Sequence, residues 1–191
     1  MEQLSFKIKG VAPLLMHNGQ LADPLNKHTM LIKEISGKRA KTEADYEAMA
    51  RLEFLGGLYL GKNGAPCIPS SVLEGVLLGK GGAARKQRQG KAAAAGVFVS
   101  VASFPLEYDG PKDPELLWKD ERFRLRVPAV IGQSKIMRTR PMFEEWAATV
   151  EVCVLPDLVN PKDVTLWMDI AGREVGLMDW RPKFGRFEVI G

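Results

Sequence analysis

The sequence predicts an α+β fold, and three observations predict it. First, Leu4, Phe6 and Ile8 alternate with Ser5, Lys7 and Lys9, the period of a half-buried strand. Second, Asn160, Pro161 and Asp163 open a helix whose Val164, Trp167, Met168 and Ala171 share one face. Third, further strand-like runs fall at 97–104, 146–155 and 184–190.

The other elements fill in between. Gly10 and the apolar residues 11–16 lead into a polar stretch, 17–41, with little period; it reads as a long loop, mobile or ordered by a partner. Thr42 is an N-cap with Asp45 at the third helical position, and that helix runs to about Phe54, stopped by Gly56-Gly57. Residues 58–60, a turn at Lys62-Asn63-Gly64, and Cys67-Ile68 predict a short hairpin. Pro69-Ser70-Ser71 opens the next helix, with Ser71 and Glu74 at capping-box spacing and Val72, Val76 and Leu77 on its apolar face. Residues 105–119 read as a loop.

The most patterned segment comes next. Arg122, Arg124 and Arg126 alternate with Phe123, Leu125 and Val127, so a strand projects all three arginines from one face. Gly132-Gln133 is a turn, and residues 135–140 return with Arg138 and Arg140 on a shared face. Gly176 ends the helix begun at Asn160. Without insertions at about 17–67 and 122–143, the order is strand, helix, strand, strand, helix, strand. That is the split βαβ order of a ferredoxin-like, RRM-like core.

The chain has 191 residues, 46% of them hydrophobic, enough for one domain with a core. The net charge of +4 is modest, so it implies a polyanionic partner only where the cations cluster. Cys67 and Cys153 form no CxxC and are expected as buried thiols in a reducing compartment. His17 and His28 stand at no zinc-ligand spacing to them, so no metal or cofactor is expected. The N-terminus lacks a signal-peptide core and no run of about 18 apolar residues occurs, which predicts a cytoplasmic protein without membrane contact.

Three basic segments carry the candidate chemistry. Lys80, Arg85, Lys86, Arg88 and Lys91 lie among Gly79, Gly81, Gly82 and Gly90 with no acid between them. Phosphates need cations and close backbone approach, which glycine permits; the spacing is not that of a P-loop. Arg124, Arg126, Arg138 and Arg140 form the second, unless Glu121, Glu144 or Glu145 neutralises them. The third holds Arg181, Lys183 and Arg186 among Trp180, Phe184 and Phe187, where cations meet phosphate and bases stack on rings, or the rings serve the core. Lys38 and Arg39 add cations on the first loop. Catalytic candidates are few: Asp23 lies on one loop with His17 and His28.

Three segments also resemble one superfamily, the repeat-associated (RAMP) proteins of CRISPR systems. Residues 10–18 (GVAPLLMHN) resemble the end of the first strand there. Residues 68–78 (IPSSVLEGVLL) are similar to the IPGSSLKG-L segment that begins the first core helix. Residues 171–189 (AGREVGLMDWRPKFGRFEV) look like the C-terminal glycine-rich loop. The backbone-subunit ("Cas seven") type fits best, as a minimal or phage-borne relative. Ser70 stands where that family has glycine and Glu74 where it has lysine; Asp179, Trp180 and Pro182 interrupt the glycine-loop form. The resemblance implies a non-catalytic subunit that polymerises along guide RNA as a helical filament, beside other effector-complex subunits, with the hairpin as a thumb reaching a neighbour. It also implies an alternative, a metal-dependent ribonuclease using Asp23. A further alternative is a phage or structural protein docking on another complex. The sequence itself does not separate RNA from DNA.

Overall fold

A computed structural model describes residues 1–132 and 134–191. In chain order, β1 (Glu2–Gly10) and β2 (Leu14–Leu15) precede a 3₁₀ turn at Gly19–Ala22, α1 (Lys27–Ser36) and α2 (Glu43–Gly57). Then follow β3 (Cys67–Pro69), α3 (Ser70–Leu78), α4 (Ala83–Lys86), α5 (Gly90–Gly96), β4 (Val97–Phe98), β5 (Ser103–Pro105) and α6 (Pro114–Lys119). A 3₁₀ turn at Glu121–Phe123 leads to β6 (Arg124–Ile131), β7 (Ser134–Phe143), β8 (Ala147–Val154), α7 (Pro161–Ile170) and β9 (Phe187–Val189). The fold is α+β.

The main sheet has the order β4-β8-β1-β9, with every neighbouring pair antiparallel. The alternation in β1 does what its period demands: Phe6 and Ile8 are buried, opposite Val150 and Ala148 of β8. Leu73, Val76 and Leu77 of α3 and Val164, Trp167 and Met168 of α7 join these residues in one apolar cluster. Asn160 caps α7 by accepting from the Lys162 N–H, with Pro161 at the first helical position. The helix widens into a π-turn at Ala171–Val175 and stops at Gly176, whose φ of +75° suits glycine. Thr42 and Asp45 form the reciprocal capping box of α2.

A second sheet, β2-β7-β6, contains the arginine-bearing hairpin, and α2 packs on it. A third pairs β3 with β5. Cys67 and Cys153 are both buried free thiols. No helix among the described residues is long and apolar enough to cross a membrane.

Several expectations need correction. Residues 17–41 are not one loop: Asn26 caps α1 through the His28 N–H. α2 continues through Gly56-Gly57. The short hairpin expected after it is present around a Leu60–Pro66 bridge, with the Cys67 N–H donating to the Tyr59 carbonyl at 2.9 Å, but Cys67–Pro69 also pairs with Ser103–Pro105. Residues 97–104 divide into β4 and β5, which serve different sheets. Residues 105–119 include α6, capped by Asp113 and opened by Pro114. The basic glycine run 79–91 is partly helical, through α4 and the start of α5. The last strand is only Phe187–Val189. The Ser71–Glu74 box does not form; Glu74 instead accepts from the Val99 N–H at 3.0 Å and ties α3 to the strand after α5.

Candidate nucleic-acid interface

The glycine loop after α7 is folded back on the end of β1. The Leu177 N–H donates to the Gly185 carbonyl at 2.8 Å and the Gly185 N–H to the Pro13 carbonyl at 2.8 Å. The Asp179 N–H donates to the Leu15 carbonyl at 3.0 Å. Gly185 has φ +73°, and a Cβ there would collide with the Leu177 carbonyl oxygen. Phe184 within this clamp and Phe187 at the start of β9 are buried, and Trp180 is 37% exposed. Of the three rings, two therefore belong to the core and one to the surface. Arg181, Lys183 and Arg186 are all exposed.

The hairpin reaches this loop through Arg140. Its Nε lies 2.9 Å from Asp179 Oδ2, a charge pairing without a directed hydrogen bond, and its guanidinium carbon lies 4.6 Å from the Trp180 ring centroid. Arg138 donates to Glu53 of α2, whose other carboxylate oxygen accepts from the Thr139 N–H at 2.9 Å. Glu53 is buried.

Of the three arginines expected on one strand face, Arg124 and Arg126 share it and Arg122 does not, while Arg138 and Arg140 share a face as expected. Arg122 lies in the 3₁₀ turn before β6, paired with Asp120 at 2.7 Å. The register sets Arg124 opposite Pro141 and Arg126 opposite Thr139, but Leu125 opposite Arg140 and Val127 opposite Arg138. Directly opposed residues share a face and successive residues alternate. Arg124 and Arg126 thus lie on one side of the hairpin, Arg138 and Arg140 on the other. Arg124 is paired with Glu121 at 3.1 Å and stacked 4.6 Å from the Trp118 ring. The turn expected at Gly132-Gln133 is described only at Gly132, with φ +59°; Gln133 lies outside the described residues.

Two clefts follow from this division. One, of about 860 Å³, lies between Arg124 and Arg126 and the exposed face of α2, with Glu43 and Glu47 on its wall. The other, of about 760 Å³, lies between α1 and the Arg138–Arg140 side, and Trp180 closes one end. His17 borders that second cleft and also a hollow of about 260 Å³ shared by Ser71 and Gly75 of α3 with Asp179 and Arg181. His17 is thus common to the cleft beside α1 and the hollow beside α3 and the glycine loop.

Segment 79–91 lies on the helical layer. Lys86 pairs with Glu174 at 3.2 Å, just before the glycine loop, and Gln89 donates to Asp163 at the start of α7 at 3.3 Å. Lys80, Arg85, Arg88 and Lys91 are exposed. Lys38 is paired with Asp45 at 2.6 Å, while Arg39 is exposed on the link between α1 and α2.

The candidate acid–base residues do not converge. Asp23 is exposed, and its carboxylate accepts from the Leu25 N–H at 2.9 Å. Burial lowers the pKa of both His17 and His28; neighbouring Arg140 lowers that of His17 further, and Lys27 and Arg51 that of His28. Both effects favour the neutral imidazole of His17 over the cation. Among the described residues no three His, Cys, Asp or Glu side chains gather as a metal site.

Glu53, Lys33 of the cleft beside α1 and Tyr59 of the hollow beside α3 are not among the residues the sequence marks. Glu53 had a readable signal: it falls on the stripe Ala50, Glu53, Phe54, Gly57 that α2 buries. Lys33 and Tyr59 carried none. A comparison with known protein families finds no match, and a comparison with curated proteins finds none either.

Proposed function

We propose that this chain binds single-stranded nucleic acid, RNA in the first instance, without sequence preference, and assembles along it in several copies. One observation carries the reading. Among the described residues, Lys80, Arg85, Arg88, Lys91, Arg181, Lys183 and Arg186 are exposed and none forms an ion pair with a carboxylate. The cations of the hairpin, by contrast, are largely consumed inside the protein: Arg122, Arg124, Arg138 and Arg140 each have a carboxylate partner. Exposed cations without partners repel one another at no structural gain, and a phosphate backbone relieves that.

The sheet order supports the finer fold reading. β9-β1-β8-β4, with α3 between β1 and β4 and α7 between β8 and β9, is the order that a ferredoxin-like reading expects. It fits the RAMP resemblance, which implies that the sheet, the opening of the first core helix and the inserted hairpin hold the strand. The hollow shared by Ser71, Gly75 and Arg181 supports the same placement. Val130 and Met137, exposed on the hairpin, suit contact with a neighbouring copy.

The test is fluorescence anisotropy of labelled 20-nucleotide RNA and DNA strands, single and double, at about 50 mM salt. The reading expects saturable binding to single strands. A duplex preference, or no binding at high protein concentration, would overturn it and favour docking on a protein instead.

A further inference from the structure

The cleft between α1 and the hairpin, about 760 Å³, falls within the roughly 300–1,000 Å³ of sites that take small organic ligands. Its chemistry is mixed in a particular way. Lys33, in the last turn of α1, supplies an exposed cation with no carboxylate partner among the described residues. Thr29 supplies a hydroxyl and His17 an imidazole. Trp180 supplies an aromatic plane.

Trp180 combines an exposed aromatic residue with a costly backbone conformation. It sits in the left-handed region, φ +51°, which a bulky residue adopts only when its surroundings enforce it. The backbone that enforces it is the glycine-loop clamp, anchored at Leu15 through Asp179. The indole stays 37% exposed while both neighbouring phenylalanines are buried. Arg140 lies against the ring, and it is itself only 11% exposed and fixed by Asp179. Arg140 and the Phe184 ring, its centroid 5.9 Å away, hold the indole where it lines the cleft, and an aromatic ring so fixed is pre-ordered for stacking.

We propose that this cleft is a nucleobase slot: one base of the bound strand leaves the backbone track and stacks on Trp180, with Lys33 beside the flanking phosphate. The proposal rests on the nucleic-acid reading above and adds base contact to it. Base-aromatic stacking is sequence-tolerant, so the slot does not conflict with binding that ignores sequence.

The experiment uses the full chain with two strands of equal length, one ordinary RNA and one carrying abasic ribose-phosphate units throughout. Wild type, Trp180→Ala and Trp180→Phe are titrated against both by anisotropy. Thermal midpoints check that the variants fold. Wild type should bind the abasic strand roughly 5- to 150-fold more weakly, the range for loss of a stacked base. Trp180→Ala should bind both strands with nearly the abasic affinity, and Trp180→Phe should restore most of the difference. A base preference that is equal in wild type and Trp180→Ala overturns the slot while leaving phosphate binding intact. Equal wild-type affinity for both strands does the same, without relying on any variant. No wild-type binding to either strand overturns both readings together.

Discussion

The guanidinium carbon of Arg140 lies 4.6 Å from the centroid of the Trp180 ring, and this contact joins the inserted hairpin to the C-terminal glycine loop. Asp179, 2.9 Å from Arg140 Nε, fixes the guanidinium in that position. The hairpin insertion is therefore tied to the last turn of the fold rather than appended to it.

Removing one partner of this pair should cost more than removing both. Arg140→Ala or Asp179→Ala alone leaves a part-buried charge without its counterpart and should destabilise by about 2–4 kcal/mol, allowing for the residual exposure of Asp179. The double change Arg140→Met with Asp179→Leu should cost less than the sum of the singles. Urea denaturation midpoints measure both.

Glu53 should be equally sensitive to chemistry. Glu53→Ala removes the acceptor for Arg138 and for the Thr139 N–H, and should cost about 2–3 kcal/mol. Glu53→Gln keeps one carbonyl acceptor and should cost about half as much. Hydrogen exchange at Thr139 gives a local reading of the same effect.

The start of α2 should be acid-sensitive. The Lys38 side chain and the Thr42 backbone and hydroxyl hold the Asp45 carboxyl down to about 2 from its ordinary 3.8. The folded value lies below the unfolded one, so the native state binds fewer protons in between. The contribution of Asp45 is complete above pH 3.8 and is lost as pH falls through about 2. Asp45→Asn should flatten stability across that window. Denaturant midpoints from pH 5 to pH 2 would show it.

Much of the core was legible because its signals are local. The alternation of Phe6 and Ile8, the Thr42–Asp45 box and the Asn160-Pro161 opening each depend on a few adjacent residues, and each formed as read. α1 was not legible from periodicity because it buries none of its residues, although Asn26 offered a capping signal. The division of residues 97–104 was hidden for another reason. Val97 pairs with Val154 and Phe104 with Ile68, and alternation does not say which distant strand a residue meets. The candidate site was legible as composition but not as geometry. Glu53 lies 85 residues from Arg138, and the facing of the hairpin arginines depends on the register of the returning strand. Trp180 could not be told from Phe184 and Phe187 by sequence, because the loop fold buries Phe184 and the β9–β1 pairing buries Phe187.

The central claim, that unpaired surface cations hold a single strand by its phosphates, is tested most directly by the salt dependence of RNA affinity. Log affinity against log salt should be linear for wild type, with a slope of about −0.7 per phosphate neutralised on a single strand. Changing Lys80, Arg85, Arg88 and Lys91 together to glutamine should make that slope less steep by about 0.7 for each phosphate that is no longer neutralised, whereas Arg124→Gln should leave it nearly unchanged. A wild-type affinity that does not vary with salt, or a slope untouched by the fourfold change, would contradict the account.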